Sequence, residues 1–136
     1  MKIMLINPNT TQYMTDSILE CAKRCASADT ELYAVSAGFG VNSIECYVDE
    51  YLAAPAVMQA IMRGEKQGMD AYIISCFGDP GLQAARELTD KPVLGIAESA
   101  ITAAKFLAPY FSIVSVLDRS VKVTADVVST YGATQL

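Results

Sequence analysis

Short apolar runs alternate along the chain with segments in which apolar residues recur every three or four positions. The runs predict strands, because a strand that is buried on both faces carries apolar side chains on both. The five predicted strands are Ile3–Ile6, Leu32–Ser36, Ala71–Ser75, Val93–Ile96 and Phe111–Val116. Helical segments between such strands indicate a doubly wound α/β fold with a parallel sheet, flavodoxin-like in outline.

Five helices are predicted between and after these strands. The first follows Thr10, and its apolar stripe, which is expected to pack into the core, consists of Met14, Ile18, Cys21, Ala22 and Cys25. Pro55 is expected to start the second helix and Gly68 to end it. The remaining three are marked by Leu82, Ala85 and Leu88, by Ile101, Ala104 and Leu107, and by the segment from about Ser120 to Tyr131.

Composition narrows the class of protein. The chain has 136 residues, enough for one domain, with 52% hydrophobic and 18% charged residues. A net charge of −5 without a Lys/Arg cluster argues against nucleic acid and anionic membranes as partners. Asn7-Pro8 ends the first apolar run too early for a signal peptide or a membrane span. The expected location is therefore the cytoplasm.

The chain contains four cysteines and no histidine. The cysteines form no Cys-x-x-Cys pair, so a zinc site is not expected, and in a cytoplasm they should be reduced thiols. Without histidine, acid–base chemistry near neutral pH must use cysteine, a shifted carboxylate, lysine or tyrosine. Ser-His and Cys-His hydrolase machinery is excluded.

Cys76 is the first candidate for such chemistry. It directly follows the strand Ala71–Ser75, and Asp79-Pro80 then predicts the start of a helix, with Asp79 as its N-cap. A thiol facing a helix N-terminus is expected to have a lowered pKa and to act as a base or nucleophile. Burial as an ordinary core cysteine is the alternative, which the spacing leaves open.

The segments that follow the other strands are rich in small polar residues and helix starts, an arrangement suited to a small anion or a polarised carbonyl. Thr10, Asp79 and Ser120 are equally explained as helix caps. A receiver domain would need acidic residues where Asn7 and Cys76 stand, and a small cysteine phosphatase would need arginine at Leu82. A glycine-rich nucleotide loop is also missing after the first strand.

Four motifs in order resemble the aspartate/glutamate/hydantoin racemase superfamily, and within it the hydantoin and allantoin racemase branch. They are Met1-Lys2-Ile3 through Asn7-Pro8-Asn9-Thr10-Thr11, Gly40-Val41-Asn42-Ser43-Ile44-Glu45, Ser75-Cys76-Phe77-Gly78-Asp79-Pro80-Gly81 and Pro92-Val93-Leu94-Gly95-Ile96-Ala97-Glu98. The resemblance covers essentially the whole chain.

The resemblance implies a racemase without metal or organic cofactor, in which two cysteines face each other across a cleft between two lobes. One thiolate removes a proton from the substrate's stereogenic carbon, and the opposite thiol returns a proton to the other face. Cys76 matches the first cysteine. Asn7, Thr10 and Ser43 are implied to bind substrate, and Phe77 and Gly78 to offer backbone donors. Glu98 and Arg119 have no certain role in this resemblance.

Family members are nearly twice as long as this chain. Residues 1–108 are therefore interpreted as the first lobe, and residues 109–136 as the opening strand and helix of a truncated second lobe. The family's second cysteine comes from the later lobe. Cys46 is the other cysteine expected near the cleft, although its neighbours show no helix-capping signal. An incomplete second lobe would expose apolar surface, so a homo-oligomer is expected.

Three functions remain open at this point. The first is racemisation of a 5-substituted hydantoin or allantoin, a small-molecule substrate, with this chain supplying one base. The second is a catalytically incomplete fragment that folds and at most binds a small cyclic amide or carboxylate. The third is a related cysteine-dependent decarboxylase or isomerase.

Overall fold

The fold is built on a four-stranded parallel sheet in which the strands lie in the order β2-β1-β3-β4. The structure is a computed structural model and describes residues 1–133. The strands are β1 (Lys2–Asn7), β2 (Glu31–Ser36), β3 (Ala71–Ile74) and β4 (Val93–Gly95). The helices are α1 (Gln12–Lys23), α2 (Tyr47–Gln67), α3 (Leu82–Glu87), α4 (Ile96–Leu107) and α5 (Ser120–Thr130). The predicted α/β class and the first four strands are confirmed.

The sheet's connections explain where a site can form. The chain passes from β1 to β2 in one direction and then returns across β1 to β3. Because crossovers between parallel strands are right-handed, α1 and α2 lie on opposite faces of the sheet. The direction reverses between β1 and β3, and ligands in open α/β sheets bind outside the carboxyl ends of the strands at such a point. Cys76 follows β3 at this edge.

The main core lies between the sheet and helices α2 and α3. Successive strand residues point to opposite faces. Met4 and Ile6 of β1, with Tyr72 and Ile74 of β3, accordingly belong to one buried cluster. Their partners from the helices are Val57, Ala60, Ile61, Leu82 and Ala85. This packing fixes the end of β3, and with it the position of the Cys76 loop.

The opposite face is only partly covered by α1. A groove of about 590 Å³ lies there between α1 and the side chains of Leu5, Ile73 and Ile96. Cys21 and Cys25 are exposed, so the prediction that both pack into the core is wrong. Cys21 lies on α1 as predicted, but Cys25 falls in the turn after the helix ends at Lys23.

Helix α2 begins eight residues earlier than its proline signal suggested. Its first residue is Tyr47, and Pro55 lies inside the helix rather than at its start. Asp49 and Glu50 occupy the first turn, where negative charge is favourable. Gly68 ends the helix in the left-handed conformation with φ 70°, as predicted. The missed turn matters because it carries residues of the site described below.

The predicted fifth strand, Phe111–Val116, does not form among the described residues. The segment pairs with none of the four strands, and Val114 and Val116 are 93% and 94% exposed. An apolar run becomes a strand only where a neighbouring edge offers backbone partners. The segment instead lies over the Cys76 loop.

Helix α4 ends at Leu107, the last residue that marked it in the sequence, but it begins at Ile96, which was predicted to end the fourth strand. Helix α5, predicted from about Ser120 to Tyr131, runs from Ser120 to Thr130. The division into residues 1–108 and 109–136 remains a prediction, and its last three residues, 134–136, lie outside the described part. None of the helices within residues 1–133 combines the length and the apolar character needed to cross a membrane.

Candidate active site

A cavity of about 580 Å³ lies at the carboxyl edge of the sheet, beside Cys76. Its floor is the turn Cys76-Phe77-Gly78 that follows β3. One wall is the segment from Ser43 through the first turn of α2, and the other is residues 113–117 with the start of α5. The cavity therefore brings together segments that are far apart in sequence.

The Cys76 thiol is largely enclosed in this cavity. Burial raises its pKa to about 11. The backbone amide of Gly78, which donates a hydrogen bond to Sγ, acts against this rise, while the carboxylates of Glu50 and Asp79 add to it. The expected lowered pKa is therefore wrong for the protein as described. Helix α3 has only six residues and starts at Leu82, so it gives the sulfur little compensation.

Asp79 was predicted to be the N-cap of α3, but that helix begins at Leu82, after Gly81, and Asp79 has a different role. Its buried carboxylate accepts hydrogen bonds from the amides of Ala97 at 3.0 Å and Glu98 at 2.8 Å, so it caps α4. The Tyr131 hydroxyl donates to the same carboxylate at 2.8 Å. Asp79 adopts φ 47°, a left-handed conformation that aspartate tolerates better than most residues. It thus ties the Cys76 loop to α4 and to the end of α5.

Glu50 enters the cavity from the first turn of α2 and was missed by the sequence analysis. Burial raises the pKa of its carboxyl, and the nearby charge of Asp79 raises it further. The carboxylate lies against Gly78, where a Cβ atom would collide with Oε1. The signal that could have found it is the pair Asp49-Glu50, because acidic residues are enriched in the first turn of a helix.

Cys46 lines the same cavity and is the N-cap residue of α2. The absence of a capping signal around it was therefore misleading, since this helix begins without a side-chain cap. Its thiol donates to Asp49 Oδ2 at 3.3 Å. Cys46 and Cys76 are the two cysteines that line the cavity among the described residues.

Asn7 is not among the residues that line the cavity. It is buried at the end of β1, where its Nδ2 donates to Asn9 Oδ1 and Thr15 Oγ1, both at 2.9 Å. Its Oδ1 accepts from the amide of Asn9 at 3.3 Å. This network fixes the turn from β1 into α1. Contact of Asn7 with substrate stays a prediction.

Thr10 also lies outside the cavity lining, and its hydroxyl donates to Asn42 Oδ1 at 2.7 Å. Thr11, the N-cap residue of α1, makes no side-chain cap and donates to the Asn42 carbonyl at 2.7 Å. These threonines hold the loop that leads to Ser43. Ser43, Phe77 and Gly78 do line the cavity, as expected for residues around the site. Whether any of them binds substrate stays a prediction.

The outer wall is held by polar contacts. Arg119 forms an ion pair with Glu45, another lining residue. Ser120 is the first residue of α5 rather than its cap, and its hydroxyl donates to the Leu117 carbonyl at 2.7 Å. Glu98 lies in the first turn of α4 and forms an ion pair with Arg86 at 2.5 Å, away from the cavity lining. Arg119 therefore has a structural partner at the site, whereas Glu98 is a structural residue of α4.

The charges at the cavity distinguish the kinds of ligand it suits. Two carboxylates line it, that of Glu45, paired with Arg119, and that of Glu50. In residues 1–133 no three His, Cys, Asp or Glu side chains are grouped so that they could hold a metal ion. The arrangement offers a thiol, backbone amides and one carboxylate without an ion-pair partner in that range. These groups suit a small neutral molecule with polar N–H and C=O groups.

A parallel α/β sheet with a thiol at its topological switch point defines the class of protein, and the comparisons agree on the family. The sequence profile of the family described as Asp/Glu/Hydantoin racemase matches residues 3–136. The chain belongs to this family.

Individual relatives support this membership. The chain is 54% identical over 132 residues to a hydantoin racemase of Pseudomonas sp. strain NS671. The aligned region covers 97% of this chain and 53% of the relative. The structure of the chain is similar to an allantoin racemase from Klebsiella pneumoniae, with TM-score 0.94 and 45% identity over 97% of this chain and 54% of that one. An allantoin racemase from Pseudomonas fluorescens gives TM-score 0.92 and 38% identity over 98% of this chain and 56% of that one. The chain spans about half the length of these relatives.

Proposed function

We propose that this chain supplies one thiol of a cofactor-independent racemase that inverts the stereogenic carbon of a 5-substituted hydantoin or of allantoin. The observation that carries the proposal is the position of Cys76, whose sulfur faces a cavity at the switch point of the sheet. The similarity to proteins named hydantoin racemase and allantoin racemase supplies the substrate class.

The chemistry of the substrate fits a thiol acid–base pair. The carbon that carries the hydantoin side chain is next to a carbonyl, so removal of its proton gives an enolate. Amides aimed at the enolate oxygen would each lower the barrier by about 3 kcal/mol. Gly78 uses its amide on the Cys76 sulfur, so Phe77 is the better candidate for this role.

Racemisation by two bases requires one thiol and one thiolate on opposite faces of the carbon. Because burial raises the pKa of Cys76 to about 11, its resting form near neutral pH is the thiol. Cys76 is accordingly proposed as the proton donor for one enantiomer, and its minor thiolate form as the base that removes the C5 proton of the other. The opposite base is proposed to come from a second lobe, to which residues 109–136 contribute, with Cys46 as the alternative at the same cavity.

The charge of the cavity supports a neutral cyclic amide over a dicarboxylate. Glu45 and Glu50 both line it, and a malonate or maleate would bring two further negative charges beside them. A hydantoin is neutral near pH 7 and offers N–H donors to such carboxylates. The decarboxylase and isomerase alternatives, which act on such diacids, are therefore less well supported.

The test is incubation of each enantiomer of a 5-substituted hydantoin separately with this chain in D₂O, following proton NMR and optical rotation together. We expect deuterium to replace the C5 proton faster than in a control without protein. Exchange with loss of optical rotation would mean that both faces of the carbon are served. Exchange with retained rotation would mean one working base, and exchange equal to the control would contradict the proposal for this chain.

The assembly and location follow as part of the same proposal. The partly open face beside α1, lined by Leu5, Ile73 and Ile96, supports a homo-oligomer. Sedimentation at several protein concentrations tests this, and a monomer at every concentration would contradict it. The mechanism needs Cys76 reduced, which is why we place the protein in the cytoplasm.

A further inference from the structure

The Glu50 carboxylate is the charged group of the cavity that the proposed mechanism has not used. It is half-buried on the first turn of α2 and lines the cavity with Cys76. Its Cδ and Cγ lie 3.1 and 3.7 Å from the position that a Cβ atom on residue 78 would occupy. The carboxylate therefore packs directly on Gly78 and fills the space that any other residue would take.

Gly78 connects Glu50 to the sulfur. Its amide donates a hydrogen bond to Cys76 Sγ, which favours the thiolate. The Glu50 charge acts on the same sulfur in the opposite direction, because a thiolate beside a carboxylate is disfavoured. Two adjacent groups thus bias the same proton in opposite senses.

The other carboxylates around Cys76 each have hydrogen-bond or ion-pair partners. Asp79, in the loop of Cys76 itself, accepts hydrogen bonds from two amides of α4 and from the Tyr131 hydroxyl. Glu45, before α2, is paired with Arg119 from the segment before α5. Asp49, also on α2, accepts from the Cys46 thiol and the Glu45 amide.

Glu50 differs from all three. Within residues 1–133 its carboxylate accepts none of the side-chain hydrogen bonds and joins none of the ion pairs found there. It faces Cys76, Phe77 and Gly78 with its charge unscreened by a partner. Glu50 is thus the carboxylate that is open to accept a hydrogen bond from a bound N–H group.

We propose that Glu50 is a positioning residue for the Cys76 proton: its charge keeps the sulfur protonated until a ligand N–H donates a hydrogen bond to the carboxylate and weakens its repulsion of a thiolate. This role deepens the proposed racemase function and rests on it for its use in catalysis. It concerns the protonation of a thiol, however, so it can be measured in the protein without any turnover.

The test is the pH dependence of Cys76 alkylation by iodoacetamide, quantified by peptide mass spectrometry in the wild type and in Glu50→Gln. Iodoacetamide reacts with the thiolate, so the rate below the pKa follows the thiolate fraction. Glutamine keeps the shape that packs on Gly78 and removes only the charge. We expect the Cys76 profile to shift to lower pH, giving about three- to tenfold faster alkylation at pH 8.

Two further variants separate charge from structure. Glu87→Gln removes an exposed carboxylate at the end of α3 and should leave the Cys76 profile unchanged. Glu50→Asp keeps the charge, so its Cys76 profile should stay near that of the wild type. This variant still tests the proposal if the glutamine variant does not fold. Folding of each variant is checked by circular dichroism.

The outcomes are distinguishable from those of the racemase test. A folded Glu50→Gln protein with the wild-type Cys76 profile overturns the proposal, as does a Glu50→Asp protein that shifts the profile as far as glutamine does. A shifted profile in a protein that exchanges no hydantoin proton supports the role of Glu50 while contradicting the proposed function. The two claims therefore stand or fall on separate measurements.

Discussion

At the scale of single residues, Cys76 shows how groups from other elements decide the protonation of a side chain. The local sequence, a strand end followed by Asp79-Pro80, favours a lowered pKa. The surroundings raise it to about 11, first through burial and then through the charges of Glu50 and Asp79. Glu50 comes from a helix whose start lies 29 residues before Cys76, and neither it nor the burial is visible in the local pattern.

The raised pKa predicts how stability depends on pH. The folded state disfavours the Cys76 thiolate, so the full stability is present below the ordinary cysteine pKa of about 9 and is lost as pH rises toward 11. Between pH 8 and pH 10.5 the wild type should lose about 2 kcal/mol more than Cys76→Ser, from a two-unit shift. Urea unfolding of both proteins at both pH values measures this. Equal losses would show that the sulfur titrates normally.

The hydrogen-bond network of Asn7 predicts that replacing this residue lowers the stability of the fold. The family resemblance implied a role for Asn7 in substrate binding. Replacing Asn7 with alanine leaves the polar groups of Asn9 and Thr15 without this buried partner. We expect Asn7→Ala to lower the free energy of unfolding by about 2 kcal/mol. Asn42→Ala, at an exposed position, is the control and should cost less than about 1 kcal/mol. Similar costs for the two would contradict the structural role.

At the scale of elements, apolar runs were reliable where a neighbouring strand offers backbone partners and misleading where none does. The first four runs became β1 to β4, whereas Phe111–Val116 found no strand partner among the described residues. The start of α2 was missed because Pro55 looked like a first-turn residue, although it lies inside the helix. Local patterns thus gave the type of most elements, while pairing and capping depended on contacts distant in sequence.

Asp79 is the clearest of these distant contacts, and it yields a prediction for α4. Asp79→Ala removes the acceptor for the Ala97 and Glu98 amides and places alanine at φ 47°. We expect it to destabilise the protein by about 2 kcal/mol or more. Asp79→Asn keeps one acceptor oxygen and tolerates the left-handed conformation, so it should cost about half as much.

Thermal unfolding of the two Asp79 variants and the wild type provides the measurement. Because asparagine also removes the charge near Cys76, the comparison of stability is made at pH 7, where the thiol is protonated in all three proteins. Equal destabilisation by alanine and asparagine would mean that the cap on α4 contributes little.

At the scale of the whole molecule, charge distinguishes the substrate classes. The chain carries a net charge of −5, and two carboxylates line the cavity at Cys76. A neutral hydantoin should bind with little dependence on salt, whereas a maleate should bind more weakly and gain affinity as salt screens the repulsion. Calorimetric titration of both ligands at 20 mM and about 300 mM NaCl, where screening is strong, tests this. Tighter binding of the diacid at low salt would favour the decarboxylase or isomerase alternative.

The extent of the site also belongs to this scale. Sequence resemblance identified the family and led us to propose the Cys76 thiol, and the fold places Ser43, Phe77 and Gly78 around the same cavity. Asn7 and Thr10 do not line the cavity, and Glu50 was not recognised as part of it. The chain spans about half the length of its relatives, so the proposed opposite base and the full closure of the site belong to the proposed whole enzyme.

The most direct test of the central claim is hydantoin C5 exchange in D₂O by Cys76→Ser beside Cys25→Ser. Both variants replace one thiol with a hydroxyl, but Cys25 is exposed on the far side of the sheet from α2. We expect Cys25→Ser to exchange the C5 proton at the wild-type rate, and exchange by Cys76→Ser to fall to the rate without protein. Wild-type exchange by a folded Cys76→Ser protein would contradict the assignment of Cys76 as the acid–base group.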